Sequence, residues 1–101
     1  MKKKISVDEL LAFAKGVEGE TQKTLHRHAE FTFEIKGDAL IIMPSKSNKP
    51  RAHDKMTLQK ICAEFSKTNS LSPSHYIGTT GTWNASYALT LISLCLKLRL
   101  S

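Results

Sequence analysis

Val7, Leu10, Leu11 and Ala14 fall at i, i+3, i+4 and i+7, the stripe that an amphipathic helix turns toward a core. Ser6 and Glu9 stand ahead of it in capping-box spacing, Ile5 and Leu10 match the hydrophobic staple, and Gly16 supplies a stop. The pattern predicts a first helix over Val7 to Lys15. After the polar connector VEGETQK the period changes to two. Leu25, Ala29, Phe31, Phe33 and Ile35 alternate with His26, His28, Glu30, Thr32 and Glu34, which predicts a half-buried strand. Gly37-Asp38 fits a type II′ turn, ALIIM returns as a second strand, and Pro44 ends it because proline cannot donate to a ladder.

Beyond a polar loop, Asp54 is placed to cap a helix whose stripe is Leu58, Ile61, Cys62 and Phe65, predicted over Lys55 to Ser66. SPSHYIGTTGTWNA predicts an ordered loop with one helical turn after Pro73. Asn84 or Thr82 then caps a last helix to about Arg99, with one apolar face through Ala85, Ala88, Leu89 and Ile92 and another through Leu91, Leu94 and Leu98. A helix apolar on both sides is central to a core or half of a dimer contact. The expected order is α-β-β-α-α. Because a two-stranded hairpin is not stable alone, the helices must cover its Phe31/Phe33/Ile35 face, giving a small single α+β domain over residues 1–101.

The 101 residues suffice for one modest core, and a hydrophobic fraction of 41% with 24% charged excludes wholesale disorder. MKKKISVDELL turns acidic without the apolar run of a signal peptide, so a cytoplasmic location is expected. The longest apolar stretch, ASYALTLISLCLKLRL, is interrupted by Ser, Thr and Tyr and becomes basic before the ~20 residues of a bilayer span, so no membrane partner is expected. Cys62 and Cys95 lack zinc or thioredoxin spacing and are expected to be buried free thiols. No P-loop or GxGxxG occurs, and no cofactor is expected.

Charge changes the picture once it is located. Residues 1–43 carry seven Lys/Arg and seven Asp/Glu; residues 44–67 carry six against two; residues 68–101 add Lys97 and Arg99. All of the +6 excess therefore begins at PSKSNKPRAHDK. There Ser45, Lys46, Ser47, Asn48, Lys49 and Arg51, with His53 and Lys55 after them, mix cations with short donors as a phosphate-holding loop requires. The loop is expected to run straight into a helix N-terminus, where free N–H groups favour an anion. The alternative is a solvated turn charged for solubility.

A second polar set precedes the last helix: Thr68, Asn69, Ser70, Tyr76 and Asn84 could add backbone contacts, with Tyr76 or Trp83 able to stack on a base. For both aromatics a place in the core is the stronger expectation. Two further patterns are weaker. His26 and His28 would share a strand face, but nothing specifies a third zinc ligand. Glu34-Ile35-Lys36 resembles the E-x-K half of a metal-dependent nuclease signature, yet TLHRHAEF ahead of it lacks the acidic partner. A hairpin followed by helices is similar to ribbon-helix-helix modules in element order alone. The sequence points to a non-enzymatic nucleic-acid-binding protein that contacts the backbone of duplex DNA. The alternative is a protein-interaction module, either a homodimer through Leu91, Leu94 and Leu98 or an inhibitor docking on an acidic partner.

Overall fold

The computed structural model describes residues 3–25, 27–46, 49–80 and 84–97. Helix α1 spans Val7–Gly16. The Ser6 hydroxyl oxygen accepts from the Glu9 N–H at 3.1 Å and its hydroxyl donates to Glu9 Oε1 at 3.2 Å, so the cap forms where its spacing places it. Strands β1 (Gln22–Lys23), β2 (Glu30–Lys36), β3 (Ala39–Pro44) and β4 (Arg51–His53) form one antiparallel sheet in that order. Helix α2 (Lys55–Thr68), a 3-10 turn at Pro73–Tyr76, the short α3 (Ile77–Thr80) and α4 (Ala85–Cys95) follow.

The mixed α+β class and the course from helix to hairpin to helices are as expected, but the sheet has four strands rather than two. In the central hairpin Lys36 pairs with Ala39, and Gly37 takes φ +62° while Asp38 keeps a negative φ, the type II′ combination. The expected strand from Leu25 begins only at Glu30. Thr24 closes a six-residue turn instead: its N–H donates to the Ala29 carbonyl, its Oγ1 accepts from the Ala29 N–H, both at 3.0 Å, and its carbonyl accepts from His28 N–H. His28 sits at φ +53°, so the alternation across residues 25–29 belongs to a turn.

The chain leaving α1 protects the outer edge of β2. Beyond the two residues of β1, the Gly19 N–H donates to the Phe33 carbonyl at 3.1 Å and the Glu18 carboxylate accepts from the Ile35 N–H at 2.6 Å. These contacts occupy backbone groups that would otherwise offer an open edge.

One face of the sheet, carrying Phe31, Phe33, Leu40 and Ile42, is buried against Leu10 and Leu11 of α1, Leu58, Ile61 and Phe65 of α2, and Leu89 and Ile92 of α4. The other carries Thr32, Glu34 and Met43 toward solvent. Helix α4 is the central one. Of the second apolar face, Leu91 is buried with Ala85, Ala88, Leu89 and Ile92, Leu94 is 41% exposed, and Leu98 lies outside the described residues. Cys62 is buried and Cys95 half-buried, both as free thiols. Burial pushes the Cys62 thiol up to about 12. No helix among the described residues is long and apolar enough to cross a membrane.

Candidate nucleic-acid interface

Two turns meet at one end of the sheet. Phe31 pairs with Pro44 at the end of the β2–β3 ladder, and just beyond it the Ser45 N–H donates to the Glu30 carbonyl at 2.9 Å. That bond seats the start of the β3–β4 connection, with exposed Ser45 and Lys46, beside the turn that carries exposed Arg27 and His28; exposed Lys49 stands in the same connection, two residues before β4. Lys23 of β1 faces outward next to them, opposite Glu30. Ser47 and Asn48 lie outside the described residues.

The loop does not run into a helix as expected. Arg51–His53 forms β4, with Ile42 opposite Arg51 and Leu40 opposite His53. Directly paired residues share a sheet face, so both basic side chains turn toward the core side. His53 is buried, and its Nε2–H donates to the Asn84 carbonyl at 3.0 Å, tying β4 to the start of α4. This removes His53 from the solvent-facing surface. The N-terminus of α2 is also taken: Asp54 Oδ1 accepts from the Thr57 N–H at 2.8 Å, and this bond holds the Asp54 carboxyl below its usual range. A carboxylate already occupies the place where a phosphate was expected. Lys55 stands exposed in the first turn of that helix.

The second polar set is largely spent on the fold. Thr68 Oγ1 donates to the Glu64 carbonyl at 3.0 Å and accepts from the Ser70 N–H at 3.2 Å. Asn69, at φ +56°, ends α2; its amide brackets the Lys3 backbone at 2.7 and 2.8 Å and donates to the Phe65 carbonyl. Tyr76 is fully buried, and its hydroxyl donates to the Ser70 carbonyl at 2.7 Å. Burial pushes that hydroxyl up to about 12. Tyr76 is a core residue with no ring face for a base, whereas Thr82 and Trp83 lie outside the described residues. Asn84 sits at the start of α4 without a side-chain cap bond and offers its carbonyl to His53.

Among the described residues neither the His pair nor Glu34-Ile35-Lys36 gains a metal-ligating partner. His28, at φ +53°, precedes β2 rather than lying in it, and His26 lies outside the described residues. His75 Nε2 contacts Glu64 Oε2 at 2.8 Å, an ion pair when the imidazole is charged. Glu34 and Lys36 share the open face of β2. Among the described residues no group of three or more His, Cys, Asp or Glu side chains could hold a metal ion.

Sequence reasoning missed Arg27. The expected strand from Leu25 gave Arg27 no role of its own; the signal lay in Thr24 and Ala29, whose mutual hydrogen bonds turn the chain beside Ser45. Compared with protein-family models, curated proteins and solved structures, the chain has no significant match.

Two stability results are expected from these placements. The Arg51 Nε is buried with no hydrogen-bond partner among the described residues, and such a donor costs about 1–3 kcal/mol. Arg51→Met keeps the stem and deletes that donor, so its thermal midpoint should equal or exceed that of the wild type; a fall of several degrees would contradict this. His53 supplies a pH effect. Burial lowers its pKa below the ordinary 6.5, outweighing the Asn84 carbonyl and Asp54, which raise it. As pH falls below about 6.5 the unfolded chain takes up the proton before the folded one, so stability is full above that value and declines below it. His53→Gln should flatten this decline in denaturant melts from pH 7 to 5. An unchanged slope would show that another group causes it.

Proposed function

We propose that this chain is a small cytoplasmic nucleic-acid-binding domain that grips the phosphate backbone of duplex DNA and catalyses no reaction on it. One observation carries the reading: the Ser45–Glu30 hydrogen bond sets the start of the β3–β4 connection, with exposed Lys46, beside the turn that carries exposed Arg27, and exposed Lys49 stands in the same connection. Three cations from two loops suit successive phosphates, with Ser45 as a short donor between them. The contacts are to the backbone, so affinity rather than sequence choice is what this surface supplies.

The test is a titration of a labelled DNA duplex by anisotropy across a range of salt. Three phosphate contacts predict a log–log slope of about −2.7, since each neutralised phosphate contributes roughly −0.9. Absence of binding at about 50 mM salt, where such contacts are strongest, would overturn the reading.

A further inference from the structure

A cleft of about 630 Å³ opens between the Thr24–Ala29 turn, the Ser72–Ser74 segment and the first turn of α4. Its size falls within the range of small-ligand sites, and an inorganic phosphate would fill little of it. Arg27, Ser74, Ser86 and Tyr87 supply polar groups to its wall, while Ala29 and Pro73 supply apolar surface. The Tyr87 ring is held in place edge-to-face against Phe31, with centroids 5.0 Å apart at 71°. The wall is therefore a packed part of the fold.

The polar groups around this cleft differ from those of Thr68, Asn69 and Tyr76, which the fold consumes. Among the described residues no hydrogen bond or ion pair engages the Arg27 guanidinium, the Ser86 hydroxyl or the Tyr87 hydroxyl. The Ser72 and Ser74 hydroxyls bond each other at 2.9 Å, which uses one of their two protons and leaves the other free to donate. Arg27 contributes donors alone, the hydroxyls can donate or accept, and among the described lining residues the only formal charge is the positive one of Arg27. A ligand that brings an anion and hydroxyl acceptors together with a flat apolar body satisfies all of these groups.

We propose that the cleft receives one nucleotide unit, its phosphate at Arg27 and its sugar and base along Ser86, Tyr87 and Pro73. Arg27 belongs both to this cleft and to the cationic end of the sheet, so a backbone held by Lys46 and Lys49 runs to its mouth. A paired base cannot enter, whereas an unpaired one at a strand end can. The inference rests on the proposed backbone contact for the source of its ligand. The same chemistry could come from a free nucleotide, and the test separates the two.

The full chain is titrated with dTMP, with a blunt DNA duplex and with the same duplex carrying a single-stranded overhang. If the strand is the source, the overhang duplex binds about tenfold tighter than the blunt one, the order of one added base contact. dTMP alone then moves the amide resonances of Ser74, Ser86 and Tyr87. Ser86→Leu fills the cleft and should abolish the overhang preference while blunt-duplex affinity is kept. Tyr87→Phe preserves the ring and tests the hydroxyl should the leucine variant fail to fold; it should reduce the preference about threefold. Equal binding of blunt and overhang duplexes, with no dTMP shifts, overturns the cleft and leaves the backbone reading standing. Binding of dTMP without binding of either duplex overturns the backbone reading and with it the strand as source, and assigns the cleft to free nucleotides.

Discussion

Replacing Arg27, Lys46 and Lys49 together with alanine should weaken binding to a DNA duplex by roughly a hundredfold at about 0.1 M salt and make the salt slope shallower by about 2–3. The size follows from counter-ion release. Each lost phosphate contact removes close to one power of the salt concentration. The loss should be alike for unrelated duplex sequences, because none of the three contacts is assigned to a base edge. Folding should not suffer: all three side chains are exposed and stand outside the helices and strands. The comparison is anisotropy titration of wild type and variant at several salt concentrations, with thermal melts as the control. A variant that binds like the wild type would remove this end of the sheet from the interface. Arg51 is left out of the set because its stem lies on the core side of β4, where a substitution would alter packing as well as charge.

Phe31→Ala should cost about 3–5 kcal/mol, much of the ~5–15 kcal/mol that a domain of this kind possesses. Phe31 is fully buried and stands where three parts of the molecule meet. Its backbone pairs with Gln22 on one side and Pro44 on the other, and its ring meets Tyr87 of α4. Truncation leaves a cavity between the sheet and α4 that neighbouring elements on two layers cannot easily close. Phe31→Leu keeps most of the volume and loses the aromatic contact, so its cost should be clearly smaller. Urea unfolding would show a lowered midpoint with little change in slope for both variants. An alanine variant within 1 kcal/mol of the wild type would contradict close packing at this junction.

Much of the fold was legible because its signals are local. Ser6 and Glu9 cap α1, and Asp54 caps α2, through contacts made within three residues. Gly37 needs its positive φ whatever lies around it. The buried faces of α1, α2 and the central hairpin follow their periods residue by residue. The short strands were not legible. Gln22–Lys23 and Arg51–His53 are too brief and too polar to show a period, and they are strands only because an edge of the central hairpin stands beside each.

The candidate site divides in the same way. Sequence alone determined that the excess charge begins after Met43, that Ser45, Lys46 and Lys49 lie in a connection, and that Tyr76 is better suited to the core than to a surface. Charge and local propensity belong to residues wherever the chain goes. Only the tertiary structure decided which basic residues remain available. The β3–β4 pairing turns Arg51 and His53 to the core side, the N-cap of α2 fills an anion site with Asp54, and Asn69 serves the Lys3 backbone. The same packing brings Arg27, eighteen positions before Ser45 in the chain, to the side of the basic loop. These outcomes depend on hydrogen bonds between segments distant in sequence, which no local pattern records.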